Sequence, residues 1–297
     1  MDRDLMSFLQ YLKGEKRYST HTIAAYKTDI SQCLQFLKTS FEIEEPSAVR
    51  HQFLRSWMVE LLESGIGARS INRKISALRA FFNYLKKQGR VSNNPTSKII
   101  APKVPKRLPQ YLQEKEIDAL LDAEAFEPDF SGQRDRMLLL LLYHTGLRRA
   151  ELIHLDTRDI DRQRMNIRVL GKGGKERLIP FGPNLLREID AYLALRYQTF
   201  HTNSGPLCLT NEGNKMTPKI VYSIVKKHLQ RVSTISMKSP HALRHSFATH
   251  LSNNGAELNA IKELLGHANL AATQVYTHNT IEKLKEIYRL AHPKGEI

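Results

Sequence analysis

The chain is poor in cysteine, lacks long apolar runs and contains a long stretch without acidic residues. Its 297 residues include only Cys33 and Cys208, which we place in different domains, so no disulfide framework is expected. The longest apolar run, residues 138–142, is far shorter than the ~20 residues that cross a bilayer. The start of the chain lacks the apolar segment of a secretory signal. We therefore expect a cytoplasmic protein with reduced thiols and no membrane partner.

Acidic residues are absent between Glu63 and Glu114, where eleven basic residues occur. An isolated charge run is usually a solvated face, but fifty residues without a balancing acid favour phosphate binding. Lys and Arg that neutralise phosphates release counterions, which gives affinity that falls with salt. The net charge of +15 also favours a polyanion: nucleic acid first, anionic membrane second. The residues assigned to DNA are Arg69, Arg73, Lys74, Arg79, Lys103, Lys106 and Arg107.

The first hundred residues show apolar residues at helical spacing, which predicts a helical N-terminal domain over 1–92. Four helices are predicted, with these limits: residues 3 to 13; Ser19 or Thr20 to about Leu37; Pro46 and Ser47 to Gly65; and an apolar stripe from Ile71 to Leu85 that ends at Gly89. Four prolines between residues 93 and 109 predict an extended linker to a second domain over 110–297.

The second domain is predicted to be mainly helical with a small antiparallel sheet. Two segments rich in β-branched residues, 164–170 and 176–181, flank the glycine-rich GKGGK and predict a hairpin. Helices are predicted at 113–124, 134–146, 148–155, 183–200, 217–232, from Ser239 onward, and at 257–265, 269–276 and 280–291. The fold class is therefore mainly α, with an all-helical domain followed by a mixed α/β domain.

Arg148 and Arg244 are candidates for binding a reacting phosphate. Attack on a phosphodiester builds negative charge on the non-bridging oxygens, and a guanidinium offers two parallel donors to them. Each arginine taken alone would more often be a surface residue, and Arg149 competes for the first position. His241 lies three residues before Arg244, on the same helix face, and is able to contact the same phosphate.

Lys172 lies in the glycine-rich turn, where a solvent-exposed lysine is the ordinary alternative. A lysine near two arginines has a lowered pKa and suits protonation of a leaving oxygen. GKGGK lacks the GxxxxGK[ST] pattern of a nucleotide loop and precedes a strand. His241 and His245 have the spacing of a metal pair, but the intervening Arg244 disfavours a cation. We expect no metal or cofactor, and structural roles for His245 and His250.

Tyr276 lies nine residues after His267 and is the candidate nucleophile. Its phenol has an ordinary pKa near 10 and attacks poorly without a base or cations nearby. A packed core aromatic is the alternative for Tyr276, and a capping residue is the alternative for His267. The ordered conjunction of two arginines, a lysine, two histidines and a late tyrosine is far more specific than any one of them.

Several segments resemble motifs of the tyrosine recombinases, most closely the bacterial Xer chromosome-dimer recombinases. They are TGLRRAEL, GKGGKERLIPF, SPHALRHSFATHL and LLGHANLAATQVYTH, and the helical N-terminal part is similar as well. The similarity covers nearly the whole chain, although Ala271 and Ala272 stand where members often carry threonine. It implies an N-terminal core-binding (SAM-like) domain before a catalytic domain. It also implies a catalytic set of Arg148, Lys172, His241, Arg244 and His267 around the nucleophile Tyr276, supported by Glu151.

The resemblance implies cleavage of a double-stranded recombination site through a 3′-phosphotyrosyl bond, without metal or ATP. Four subunits would form the synapse, as a homotetramer or with a second recombinase, and activation by a DNA translocase stays open. The apolar side of 280–291 either packs within its own domain or docks onto the next subunit, and we favour docking. The expected role is resolution of chromosome dimers at a dif-like site. The alternatives are a phage or mobile-element integrase, a type IB topoisomerase and a non-catalytic architectural DNA binder.

Overall fold

The computed structural model describes residues 1–105, 110–171, 176–266 and 278–294. The chain divides into two compact units, Met1–Arg107 and Leu108–Ile297. The structure confirms the mainly helical class and the small antiparallel sheet. In the part of the chain that is described, no helix combines the length and the apolar character required to span a membrane.

Among its described residues, the first unit contains four α-helices, which bury one large apolar cluster and a smaller one formed by Met58, Ile71 and Ile75. The helices are α1 (Asp2–Gly14), α2 (Thr20–Phe41), α3 (His51–Glu63) and α4 (Ala68–Lys87). The hydroxyl of Ser19 accepts from the backbone N–H of Thr22 at 3.2 Å, which caps α2 as predicted. The predicted apolar stripe of α4, from Ile71 to Leu85, is buried.

The segment predicted as an extended linker begins with folded structure. Pro95–Lys98 form a turn of 3-10 helix that packs on α3 and α4. The side chain of Asn94 accepts from the backbone N–H of Thr96 at 2.9 Å, and Thr96 is fully buried. This cap fixes the turn against the first unit, which explains why the compact unit continues beyond the predicted end of the helical domain at residue 92.

The second unit contains eight helices among its described residues, with a three-stranded sheet between the third and fourth of them. The elements are α5 (Glu114–Leu121), α6 (Phe130–Thr145), α7 (Arg149–His154), β1 (Ile160–Asp161), β2 (Asn166–Leu170), β3 (Glu176–Pro180), α8 (Pro183–Phe200), α9 (Pro218–Val232), α10 (Pro240–Asn253), α11 (Leu258–Leu265) and α12 (His278–Ala291). The helix predicted at 269–276 lies outside the described residues.

The sheet is antiparallel in the order β1-β2-β3. Leu170 of β2 pairs with Glu176 of β3, so the predicted hairpin is confirmed, whereas its turn at 172–175 lies outside the described residues. The strand β1 was not predicted because it is only two residues long, too short for an alternating pattern.

Helix α6 is the central helix of the second unit and ends at Gly146. Its leucines are buried, as predicted for this apolar segment. Gly146 has φ +60°, and a Cβ there would lie 2.6 Å from Cδ1 of Phe247 on α10. The close approach of α10 requires glycine at this point, and it brings the end of α6 next to the arginine of α10.

Helix α12 packs on its own unit, against α10, α11 and β3. Its buried residues are Leu284, Tyr288 and Ala291, whereas Leu290 of the predicted apolar stripe is 67% exposed. The docking of this helix onto a second subunit stays a prediction. The alternative, packing within its own domain, is observed because α10 and α11 leave an apolar face that α12 covers.

Candidate active site

Arg148 is the N-cap residue of α7 and follows shortly after Gly146, the glycine that ends α6. Its backbone N–H donates to Oε2 of Glu151 at 2.8 Å, and its Nη1 donates to Oε1 of the same carboxylate at 2.9 Å. The side chain is 34% exposed. The competing Arg149 instead directs Nη1 towards the carbonyl of Pro218 at 3.4 Å. The helix start therefore orients Arg148 and leaves part of its guanidinium open to a ligand.

Glu151 is a buried carboxylate held between two arginines. Besides the contacts with Arg148, it accepts from Nη1 and Nη2 of Arg177 on β3, both at 2.9 Å. Burial alone would raise the pKa of Glu151, but the hydrogen bonds and charge of Arg177, with those of Arg148, lower it to about 2. The carboxylate is thus ionised throughout the neutral range and orients both guanidinium groups.

Arg244 lies on α10, one turn after His241, and is buried at 8% exposure. Its Nη1 donates to the carbonyl of Gly146, and its Nη2 donates to the carbonyl of Leu265 at 2.6 Å. Burial, together with the charge of Arg148, lowers the pKa of Arg244 to about 10. The group therefore stays charged at neutral pH.

Three arginines donate to three consecutive carbonyls at the end of α11. Nε of Arg177 bonds Leu264 at 3.0 Å, Arg244 bonds Leu265, and Nη2 of Arg148 bonds Gly266 at 3.2 Å. The C-terminus of a helix carries partial negative charge and unpaired carbonyls, so it attracts cations. The arrangement brings Arg148 and Arg244 to adjacent positions, immediately before residue 267.

His241 lies in the first turn of α10 beside a cavity of about 520 Å³. The cavity is also lined by Arg149, Lys226 and Lys238, which makes it electropositive. Burial, followed by the charges of Arg244, Arg149 and Arg148, lowers the pKa of His241 below its ordinary value. The imidazole is therefore mainly neutral at neutral pH and is able to accept a proton.

The structure brings together four of the residues predicted for the site: Arg148, Glu151, His241 and Arg244. The other three, Lys172, His267 and Tyr276, lie outside the described residues. Two guanidinium groups beside a neutral imidazole suit binding of a phosphodiester and stabilisation of the charge that develops on it.

Comparison with known protein families identifies both units. Residues 110–283 match the model described as "Phage integrase family", and residues 5–89 match "Phage integrase, N-terminal SAM-like domain". The chain belongs to the phage integrase family. Relatives include the tyrosine recombinase XerC of Pelotomaculum thermopropionicum, 37% identical over 98% of each chain. Another is the tyrosine recombinase XerC of Pelobacter propionicus, 40% identical over 98% of this chain and 95% of the relative. This chain is thus a site-specific recombinase of the tyrosine type.

Solved structures share the fold of the recombinase at lower sequence identity. The Tn1549 transposon integrase in complex with transposon right end DNA is 19% identical, with a TM-score of 0.71 over 96% of this chain and 94% of that chain. The XerH site-specific recombinase bound to palindromic difH substrate is 21% identical, with a TM-score of 0.69 over 95% of this chain and 83% of that one. These likenesses show the two-part helical fold.

Among the DNA-binding residues predicted for the recombinase, Arg69, Arg79 and Lys103 are exposed. Arg73 is half-exposed and forms an ion pair with Asp29. Lys106 and Arg107 lie outside the described residues.

Lys74 differs from the other residues predicted to bind DNA because its side chain is buried and paired. Its side chain is only 8% exposed, and its ammonium donates to Oδ1 of Asp29 at 3.1 Å and to the amide oxygen of Gln32. The ammonium also lies 5.7 Å from the centre of the Trp57 ring. The carboxylate of Asp29 compensates the charge of this buried ammonium, so Lys74 is a poorer phosphate ligand than the exposed arginines of the same helix.

Two features of the recombinase were missed in the sequence. The first is Arg177, which occupies a buried position of β3 next to the exposed Glu176. A charged residue on the inward side of a strand needs a buried partner. The alternation of this strand was therefore the signal in the sequence that could have identified Arg177. The second feature is another stretch without acids, between Glu212 and Glu257, which spans α9 and α10.

The remaining histidines of α10 have structural environments. His250 is buried, with Nδ1 2.9 Å from the hydroxyl of Tyr143 and Nε2 2.8 Å from the carbonyl of Leu112. The ring of His245 packs edge-on to Tyr111. These contacts tie α10 to α6 and to the segment before α5.

Proposed function

We propose that the recombinase resolves chromosome dimers at a dif-like site, cleaving and rejoining DNA through a 3′-phosphotyrosyl bond at Tyr276. The observation that carries the chemistry is the convergence of Arg148 and Arg244 at the end of α11. The cellular role is supported by XerC relatives that align with 98% of the chain.

In the proposed reaction, Arg148 and Arg244 bind the non-bridging oxygens of the scissile phosphate, and Glu151 orients Arg148. The phenol oxygen of Tyr276 forms a bond to phosphorus while the bond to the 5′ oxygen breaks. Lys172 donates a proton to that leaving oxygen, and His241, with its lowered pKa, is suited to take the phenol proton while His267 contacts the phosphate.

The freed 5′ hydroxyl then attacks the phosphorus of the phosphotyrosyl bond in a partner strand. A new phosphodiester forms, the bond to the tyrosine oxygen breaks, and the phenol regains a proton. The covalent linkage retains the energy of the phosphodiester, so the proposed cycle needs neither ATP nor a metal. The proposed assembly is a tetramer on two sites, formed by this chain alone or with a second recombinase. A DNA translocase is the proposed activator in the cell.

The proposed DNA surface has one part in each unit. In the first unit it consists of Arg69, Arg79 and Lys103, which are exposed, together with Lys106 and Arg107, which follow in the sequence. In the second unit it follows α9, where Lys219 and Lys226 are exposed and Lys226 lines the cavity beside His241. Neither stretch carries an acidic residue that would repel phosphate.

The test of the chemistry uses nicked duplexes that carry a dif-like site, because a nick next to the cleavage point traps the covalent product. Wild type is expected to form a denaturant-resistant protein–DNA adduct, and Tyr276→Phe to form none while it still binds the duplex. An adduct that survives the phenylalanine substitution would refute Tyr276 as the nucleophile. A scrambled duplex of equal composition is the control for site specificity.

The test of the cellular role uses a plasmid with two direct copies of the dif-like site from the chromosome of the host. Wild type is expected to excise the intervening segment, whereas Tyr276→Phe should retain it. A deletion strain should accumulate chained or dimeric chromosomes. Normal chromosome segregation in the deletion strain, with the cleavage activity intact, would favour a mobile-element role instead.

A further inference from the structure

Arg177 connects three parts of the candidate active site from a buried position, since its side chain is 4% exposed. Its two terminal nitrogens hold Glu151 of α7, and its Nε holds the carbonyl of Leu264 on α11. The arginine itself belongs to β3. The start of α7, the first residues of β3 and the end of α11 therefore meet at one guanidinium.

We propose that Arg177 is a positioning residue for strand cleavage, which fixes the Glu151–Arg148 pair and the end of α11 relative to β3. The proposal rests on the proposed function of the site. Arg177 does not contact DNA in this role. It acts through Glu151, which accepts from Arg148, and through the last turn of α11, which leads to His267.

Arg177 packs tightly against the residue that ends α11. A Cβ at Gly266 would lie 3.0 Å from Cδ of Arg177 and 3.1 Å from its Nη1. Gly266 has φ +66°, which ends α11, and its carbonyl accepts from Arg148. The side chain of Arg177 is thus in close contact with Gly266, and a displacement there would move the carbonyl that accepts from Arg148.

Lysine is a poor substitute at this position for a geometric reason. A guanidinium presents parallel donors to a carboxylate and a further donor on Nε, in one rigid plane. An ammonium on a flexible stem keeps the positive charge but is unable to make the paired bonds to Glu151 and the bond to Leu264 together. The substitution Arg177→Lys therefore keeps the positive charge and removes the positioning contacts, so it distinguishes the two effects.

The matched control is Arg134 on α6, which is also buried in the second unit. Its Nε donates to Oδ1 of Asp135 at 2.8 Å and its Nη1 to the side chain of Asn211 at 2.8 Å. Arg134 pairs with a carboxylate as Arg177 does, but its partners within the described part of the chain lie outside the candidate site. Arg177→Lys and Arg134→Lys thus remove comparable structural contacts and differ in the position of the loss.

The experiment measures adduct formation on the nicked duplex in single turnover, at saturating protein, together with duplex affinity and the thermal midpoint. Arg177→Lys is expected to lower the cleavage rate roughly 100-fold, the scale of a misplacement of about 1 Å, without weakening duplex binding. Arg134→Lys is expected to lower the thermal midpoint but to keep the cleavage rate of wild type at a temperature where both are folded.

A second readout is the pH profile of cleavage in Arg177→Gln. Glu151 would then face only Arg148, at the start of its own helix, and Arg244 of α10, so its pKa should rise from the low value that Arg177 maintains. The cleavage rate of this variant should fall more steeply with decreasing pH than that of wild type, in which Glu151 stays ionised and protonation of His241 limits the rate.

The outcomes separate the two proposals. A wild type that forms no adduct overturns the proposed function. A wild type that forms the adduct, with equal rates for Arg177→Lys and Arg134→Lys, overturns the positioning role. The positioning role is also overturned if the rate loss in Arg177→Lys merely tracks its thermal midpoint, or if the pH profile of Arg177→Gln matches that of wild type.

Discussion

At the scale of single residues, the site is defined by one carboxylate among three guanidinium groups. Glu151 contacts Arg148 and Arg177 directly, and it partly offsets the lowering of the pKa of Arg244. Within this group of four, two positive charges stay without a compensating carboxylate. Such a surplus, held in a partly buried place, attracts a phosphate much more strongly than the same charges would in open solvent.

Gly146 is the residue whose replacement should disturb this group most directly. Gly146→Ala would place a methyl group 2.6 Å from Phe247 at a positive φ, and it should cost about 2–4 kcal/mol from overpacking plus backbone strain. Because the Gly146 carbonyl accepts from Arg244, cleavage should fall as well. Urea unfolding and adduct formation measure the two effects.

The control is Gly255→Ala, which has φ +87° in the same unit and no described atom within 4 Å of the added Cβ. It keeps the strain of the backbone and omits the clash, so a loss of about 1 kcal/mol is expected. Equal losses in the two variants would contradict the account of Gly146.

At the scale of elements, α12 rests on a cluster of neutral aromatic and histidine rings. The ring of Tyr288 stacks on that of His292 with centres 4.7 Å apart, and the hydroxyl of Tyr288 lies 3.4 Å from Nδ1 of His144 on α6. Burial lowers the pKa of His144 to about 4 and that of His292 well below its ordinary value, and Lys294 and Arg136 add repulsion at His144. Protonation is therefore resisted as long as α12 stays packed.

Packing of α12 should weaken in acid. A histidine whose pKa is lowered in the folded state stabilises the fold at pH values above its pKa in the unfolded state, near 6.5. This stabilisation is lost as the pH falls from 6.5 towards the folded-state pKa of about 4. Amide exchange in α12, relative to that in α9, should accelerate over this window. His144→Gln should flatten the change, and an unchanged profile in that variant would rule out His144 as its source.

At the scale of the whole molecule, the positive charge is concentrated in two stretches without acids, one in each unit. The net charge of +15 attracts any polyanion, but only cations near the duplex release counterions. Charge position, rather than total charge, should therefore determine how DNA affinity depends on salt.

The salt dependence of DNA affinity distinguishes a DNA contact by α9 from basic surfaces that do not bind DNA. The double substitution Lys219→Gln and Lys226→Gln should reduce the slope of log K against log salt by about 2, since each phosphate contact contributes about 0.9. Arg158→Gln with Arg164→Gln removes the same charge from two highly exposed positions outside the stretch, and should leave the slope unchanged. Equal slopes for the two pairs would refute a DNA contact by α9.

Local features of the sequence predicted most of the fold, and contacts between distant residues account for what was missed. The cap at Ser19, the stripe of α4 and the glycine after α6 act within a few residues, so helix limits followed from them. The pairing of Lys74 with Asp29 and of Arg177 with Glu151 spans 45 and 26 residues, and neither pairing shows in local patterning. The ordered motifs predicted Arg148, Glu151, His241 and Arg244, whose proximity then depended on the packing of α7, α10 and α11.

The carbonyls at the end of α11 also have an entropic consequence. Arginine side chains in water sample many rotamers, and immobilising one of them costs about 0.5–1.5 kcal/mol on binding. The carbonyls of Gly146, Leu265 and Gly266 already accept hydrogen bonds from Arg148 and Arg244. The two side chains are therefore immobilised during folding, and DNA binding requires no further loss of their rotamer entropy. An arriving phosphate therefore meets donors of fixed direction. A phosphate in the wrong register loses hydrogen bonds, because the fixed arginines do not move with it as flexible side chains would. The rigidity of the pair therefore contributes to selection among backbone positions.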